Sequence, residues 1–167
     1  MAKTTKPPKQ WPPTIDAPFE PGDIIEYEGV LYIVREQMTD GSVIPGQHYN
    51  NFLTPYNELG SSTYDPHYGY RQYDIVIYNG IHYIANRDVN SSPGNSHNNY
   101  PGDPNKWSLL PGYSSNVAYT RGTGFRTGTG DTLVIYRVIQ NAPAGTPVTD
   151  TNYFKVITQG VDYYWQP

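Results

Sequence analysis

The sequence predicts an all-β protein made of one small antiparallel unit used in tandem. Three observations carry that prediction. A hairpin pattern occurs twice, as DIIEYEGVLYIV at 23–34 and DIVIYNGIHYIA at 74–85. Aromatic residues are abundant, with 17 Tyr and 3 Trp in 167 residues. Gly and Pro, 16 of each, are too frequent for long helices.

The hairpin signal is local chemistry. Asn79-Gly80 lies between two apolar runs, and a two-residue turn with both central residues at positive φ prefers Asn then Gly. Asp23, Tyr27, Gly29 and Tyr32 align with Asp74, Tyr78, Gly80 and Tyr83. Further along, Pro45-Gly46 aligns with Pro93-Gly94, and NNF at 50–52 with NKW at 105–107. Leu53 and Pro55 then match Leu109 and Pro111.

A third, altered unit follows. Tyr136 trails Tyr83 at nearly the interval at which Tyr83 trails Tyr32. VAY at 117–119 reads as its first strand, LVIYRVIQ at 133–140 as its second, and NYF at 152–154 closes it. Between the strands, four glycines in 120–131 predict a long, mobile hairpin tip, with Arg121, Phe125 and Arg126 either touching a partner or idle.

The expected organisation is an extended arm at 1–21, a first β-module at 22–56, a linker at 57–69 and a second module at 70–111. A third module at 112–158 and an aromatic tail at 159–167 complete it. Two hairpin strands plus a short closing strand make a three-stranded sheet per module, the minimum for independent stability. Units of this size bury little surface alone, so they gain by stacking.

Ile, Leu, Val and Phe make up only about a fifth of the chain, so the core depends on rings. Tyr27, Tyr32, Tyr78, Tyr83 and Tyr136 on the hairpins, with Phe52, Trp107 and Phe154 as closing residues, are the expected module core. Tyr49, Tyr100 and Tyr153 stand in polar, turn-rich surroundings. They are the candidates for ligand contact, simple exposure being the other reading. The cluster Tyr64, Tyr68, Tyr70 and Tyr73, interleaved with His67 and Arg71, reads as linker packing.

The arm holds six of the sixteen prolines, and Lys3, Lys6 and Lys9 precede any acid. Such a segment is extended. With Trp11 as an apolar anchor, these lysines are the candidates for attachment to a partner assembly.

Several function classes find no support. A net charge of −4 argues against nucleic acid as a partner. The first residues lack the apolar run of a signal peptide, and no run is long enough to span a bilayer. With no Cys, disulfides and thiolate metal sites are excluded. His48, His67, His82 and His97 are scattered without zinc spacing, His82 being expected on a solvent face. Asp23 and Asp74 read as turn caps, and no carboxyl pair marks a glycosidase. No catalytic residue, cofactor or metal is expected.

The pattern GD-x-x-x-Y-x-G-x-x-Y, a turn-rich stretch and a closing Trp resembles the chitin-binding modules of bacterial chitinases, carbohydrate-binding families five and twelve. The best match is YDIVIYNGIHYIANRDVNSSPGNSHNNYPGDPNKWSLL. In those modules exposed aromatics before the closing Trp stack on sugars. The resemblance thereby implies glycan contact at Tyr49 and Tyr100. Similar tandem modules recur in tail fibres, head fibres and decoration proteins of tailed bacteriophages. The resemblance implies a non-enzymatic virion-surface protein, made in the host cytoplasm and held by capsid or tail proteins. The analogy allows a homo-oligomer such as a trimer, and the sequence does not give the oligomeric state. The other reading is a secreted chitin- or polysaccharide-binding protein.

Overall fold

The computed structural model describes residues 7–56, 62–92 and 99–157. Three small sheets account for nearly all of its regular structure. The first joins β1 (Lys9–Gln10), β2 (Ile24–Tyr27), β3 (Val30–Val34) and β4 (Leu53–Pro55) in that order. The second repeats the arrangement with β5 (Ser62–Thr63), β6 (Ile75–Tyr78), β7 (Ile81–Ala85) and β8 (Trp107–Leu109). The third comprises β9 (Gly124–Thr127), β10 (Val134–Val138) and β11 (Phe154–Val156).

The two hairpin turns follow from their residues. Glu28 and Gly29 have φ of 50° and 81°, and Asn79 and Gly80 have φ of 52° and 78°. Positive φ at both central positions gives a type I′ turn, whose twist suits paired strands. Ile25 therefore faces Tyr32, and Val76 faces Tyr83.

The repeat extends beyond the strands. A parallel leading segment flanks each hairpin: β1 pairs with β2, β5 with β6, and Gly112 bridges Arg126. A two-residue bridge then closes the other end of each unit, Phe19 with Met38, Tyr70 with Val89, and Tyr119 with Ala142. The phenol of Tyr70 accepts the Asp65 N–H at 2.9 Å, and that of Tyr119 accepts the Ser114 N–H at 2.8 Å.

This frame corrects several expectations. The arm does not run to residue 21. Lys9–Gln10 is already a strand of the first sheet, and Trp11 packs on Phe19 and Tyr27 with centroids 6.1 and 5.3 Å apart. Trp11 matches Tyr64 and Tyr113, which pack on Tyr70 and Tyr119 at the same places in their units, with the rings stacked. The linker likewise ends early, since Ser62–Thr63 is the leading strand of the second sheet. Residues 57–61 of that linker and the tail at 159–167 lie outside the described residues.

Only the end of the glycine-rich stretch is a tip: residues 128–133 connect the two strands, and the rest is not. Gly124–Thr127 is the first strand of the third hairpin, and Phe125 is fully buried beside Tyr136. VAY at 117–119 is not a strand; it supplies the isolated Tyr119 bridge and the Tyr119 ring of the third core.

The closing position of the first unit is Leu53, not Phe52. Arg35 N–H donates to the Phe52 carbonyl just as Asn86 does to Lys106 and Ile139 to Tyr153. Leu53 pairs with Val34 as Trp107 pairs with Ala85 and Phe154 with Val138. A one-residue slip in a strand turns the side chain to the other face. Phe52 is accordingly half-buried on the flank of the core, whereas Leu53 is inside it.

Packing joins the units. Ile25, Val34 and Leu53 share one apolar cluster with Val76, Ala85 and Trp107, and Tyr68 meets Tyr32 hydroxyl to hydroxyl at 3.0 Å. The opposite face of the second hairpin, Ile75 and Ile84, packs on Ile135 of the third. Gly124 permits this contact, because a Cβ there would lie 3.1 Å from Ile75 Cδ1 and 3.0 Å from the Tyr136 carbonyl. Buried Arg137 crosses the same junction and donates to the carbonyls of Tyr73 and Gly122 at 2.7 and 3.0 Å. The third unit keeps its own core of Tyr119, Phe125, Val138, Ala142 and Phe154.

Candidate functional site

A flat aromatic pair stands at the junction of the first and second units. The turn at Ile44–His48 starts it: Gln47 and His48 N–H both donate to the Ile44 carbonyl, and Ile44 N–H donates to His48 Nδ1. The chain then runs beside residues 67–69. Asn50 N–H donates to the His67 carbonyl and Gly69 N–H to that of Asn50, each at 2.9 Å. Asn50 points inward, so Tyr49 points outward onto His67.

The two rings stack with centroids 4.3 Å apart and planes at 14°. Asp65 holds His67 in place, its Oδ1 accepting the backbone N–H at 2.9 Å and meeting Nδ1 at 2.8 Å. Tyr49 remains 40% exposed. A rigid ring flanked by a carboxylate is what CH–π stacking and hydroxyl recognition of a sugar need.

The three ligand-contact candidates are not brought to equivalent places. Tyr100 is half-buried, its ring edge-on to Tyr78 at 5.9 Å and laid against Gly102. Tyr153 occupies the position of Phe52 and Lys106, half-buried with its ring centroid 6.4 Å from that of Phe154. Of the three, Tyr49 alone is exposed.

Two attachment candidates are used inside the first unit. Lys9 Nζ pairs with Asp23 Oδ2 at 2.7 Å and Trp11 packs on the sheet as above. Lys3 and Lys6 lie outside the described residues. Among the core candidates Tyr32, Trp107 and Phe154 are buried, while Tyr27, Tyr78, Tyr83 and Tyr136 are half-buried. Asp23 and Asp74 cap turns, accepting from Glu20 N–H and Arg71 N–H at 2.7 and 2.8 Å.

The titrating groups around the junction are structural. Burial pushes the Tyr64 phenol up to about 12 and the phenols of Tyr68 and Tyr70 higher still. They stay neutral at physiological pH, and those of Tyr68 and Tyr70 serve as hydrogen-bond partners, to Tyr32 and to the Asp65 N–H. His82 is not on a solvent face. It is half-buried between the second and third sheets, and burial, then the Arg126 charge, lowers its pKa.

The sequence marks His67 as linker packing only and does not single out Asp65; the linear signal is a His among tyrosines, two residues after an Asp. Among the described residues no group of three His, Asp or Glu is placed to hold a metal ion, and no helix is long and apolar enough to cross a membrane. No family model matches the chain, and no curated protein matches it.

Proposed function

We propose that the protein is a non-enzymatic structural protein of a tailed-phage particle, of decoration, head-fibre or tail-adaptor type, displaying glycan-binding modules for attachment. The observation that carries this reading is the stacked Tyr49–His67 pair, with Tyr49 exposed, on an array of three like β-units. The sequence resemblance to tandem chitin-binding-type modules supports it. A single ring platform binds sugar weakly, but many copies on one particle raise the effective concentration. The segment before Lys9, with Lys3 and Lys6, is the proposed tether to capsid or tail proteins.

The same ring pair also fits a secreted polysaccharide-binding protein. Retention on immobilised polysaccharides, chitin included, tests the glycan part of both readings. The parent chain is expected to be retarded on at least one polysaccharide and Tyr49→Ala is expected to elute unretarded, with an unchanged circular dichroism spectrum. Equal retention of the two proteins would remove Tyr49 from the site.

A further inference from the structure

Beside the closing strand of the second unit, Lys106 Nζ is in direct contact with the side-chain carbonyl oxygen of Asn99. Everything around the pair holds it there. The Asn99 carbonyl accepts the indole N–H of buried Trp107 at 2.9 Å, and the Asn99 amide nitrogen donates to the Asn90 carbonyl at 2.8 Å. The Lys106 backbone N–H donates to the Asp103 carbonyl at 3.1 Å. Asp103 Oδ1 takes the Asn105 N–H at 2.9 Å, and its Oδ2 faces Lys106 Nζ at 3.8 Å. The side chains of Lys106 and Asp103 are only 26% and 24% exposed.

A primary amine, a carboxamide and a carboxylate thus share one partly desolvated site. We propose that this site forms an intramolecular isopeptide bond between Lys106 and Asn99, with Asp103 carrying the proton. Asp103 takes a proton from the ammonium group, and the neutral amine attacks Asn99 Cγ. The Nζ–Cγ bond forms, the Cγ–Nδ2 bond breaks, and the displaced nitrogen leaves with the protons that Nζ gives up. One ammonium side chain and one carboxamide become one secondary amide and one ammonium ion. No oxidant, metal or cofactor enters the balance. Holding the groups in contact supplies the proximity that makes an otherwise slow amide exchange intramolecular.

The bond closes a ring from Asn99 to Lys106 and fastens the preceding loop to the base of β8. In a chain without cysteine it supplies the covalent staple that a disulfide gives elsewhere.

Intact mass of the denatured full chain tests the proposal. The expected mass is that of the sequence less one ammonia, with a digest yielding one branched fragment that contains both Asn99 and Lys106. Lys106→Arg restores the full mass. Asp103→Ala, which keeps both reacting groups, also leaves the full mass. A parent chain at full sequence mass overturns the proposal. So does an ammonia loss that persists in Lys106→Arg, as a succinimide at Asn79-Gly80 would give. Cross-linked Asp103→Ala would overturn the role of Asp103.

Discussion

Arg35 Nη2 donates to both carboxylate oxygens of Asp74, at 2.9 and 3.0 Å, and so ties the end of the first hairpin to the start of the second. Both side chains are mostly shielded from water, at 19% and 18% exposure. Asp74 in turn caps Arg71, which reaches the Arg35 carbonyl and the carboxylates of Glu36 and Asp88. The junction is a charged network laid over an apolar seam.

Removing one partner strands the other in a shielded site. Arg35→Ala is expected to lower stability by about 1–3 kcal/mol in urea unfolding. Asp88→Ala, at the exposed end of the network, is expected to cost about 0.5 kcal/mol or less. Equal losses would mean that the junction is not held by the Arg35–Asp74 pair.

Trp107 closes the second unit. Its ring lies edge-on to Tyr64 and Tyr70 at 5.9 and 5.6 Å, inside the cluster shared by the first two units. Trp107→Ala is expected to cost about 3–5 kcal/mol. Tyr100→Ala, at a half-buried ring, is expected to cost about 1 kcal/mol and to leave the fold intact. Thermal melting followed by circular dichroism separates the two, and a Trp107→Ala protein melting like the parent would refute its core role.

His82 is expected to make the stability of the protein depend on pH. Its folded pKa is lowered, by burial first and by Arg126 second. The unfolded chain therefore binds the proton more readily than the folded one. Its stabilising contribution is complete above the unfolded value of about 6.5 and is lost as pH falls through that value toward the lowered folded one. His82→Leu is expected to flatten the dependence of the melting temperature on pH between about 7 and 5. The same slope in both proteins would place the titration elsewhere.

The hairpins of the first two units were legible because one dipeptide dictates each turn. The third was obscured because Gly124 and Phe125 stand where the other units have Ile and an aliphatic, so a strand looked like a loop. Glycine is there to admit Ile75, a tertiary reason that no local pattern records. Trp11 among prolines read as a free anchor, yet its partners Phe19 and Tyr27 lie further along the chain. Matching Phe52 to Trp107 by ring chemistry missed the register by one, which backbone pairing alone sets. The Tyr49–His67 pair arises where two turn segments run side by side, and sequence periodicity carries no trace of that.

Attachment to a particle, with the segment before Lys9 as the proposed tether, can be tested directly. Since Lys9 onward belongs to the first sheet, the informative deletion removes residues 1–6 only. The full chain and this shortened chain are mixed with purified tailed-phage particles stripped of the protein, and the particles are sedimented. The full chain is expected to sediment with the particles and the shortened chain to stay in the supernatant with an unchanged melting temperature. A full chain that stays in the supernatant would contradict the virion reading. Equal sedimentation of both would move the tether to the modules themselves.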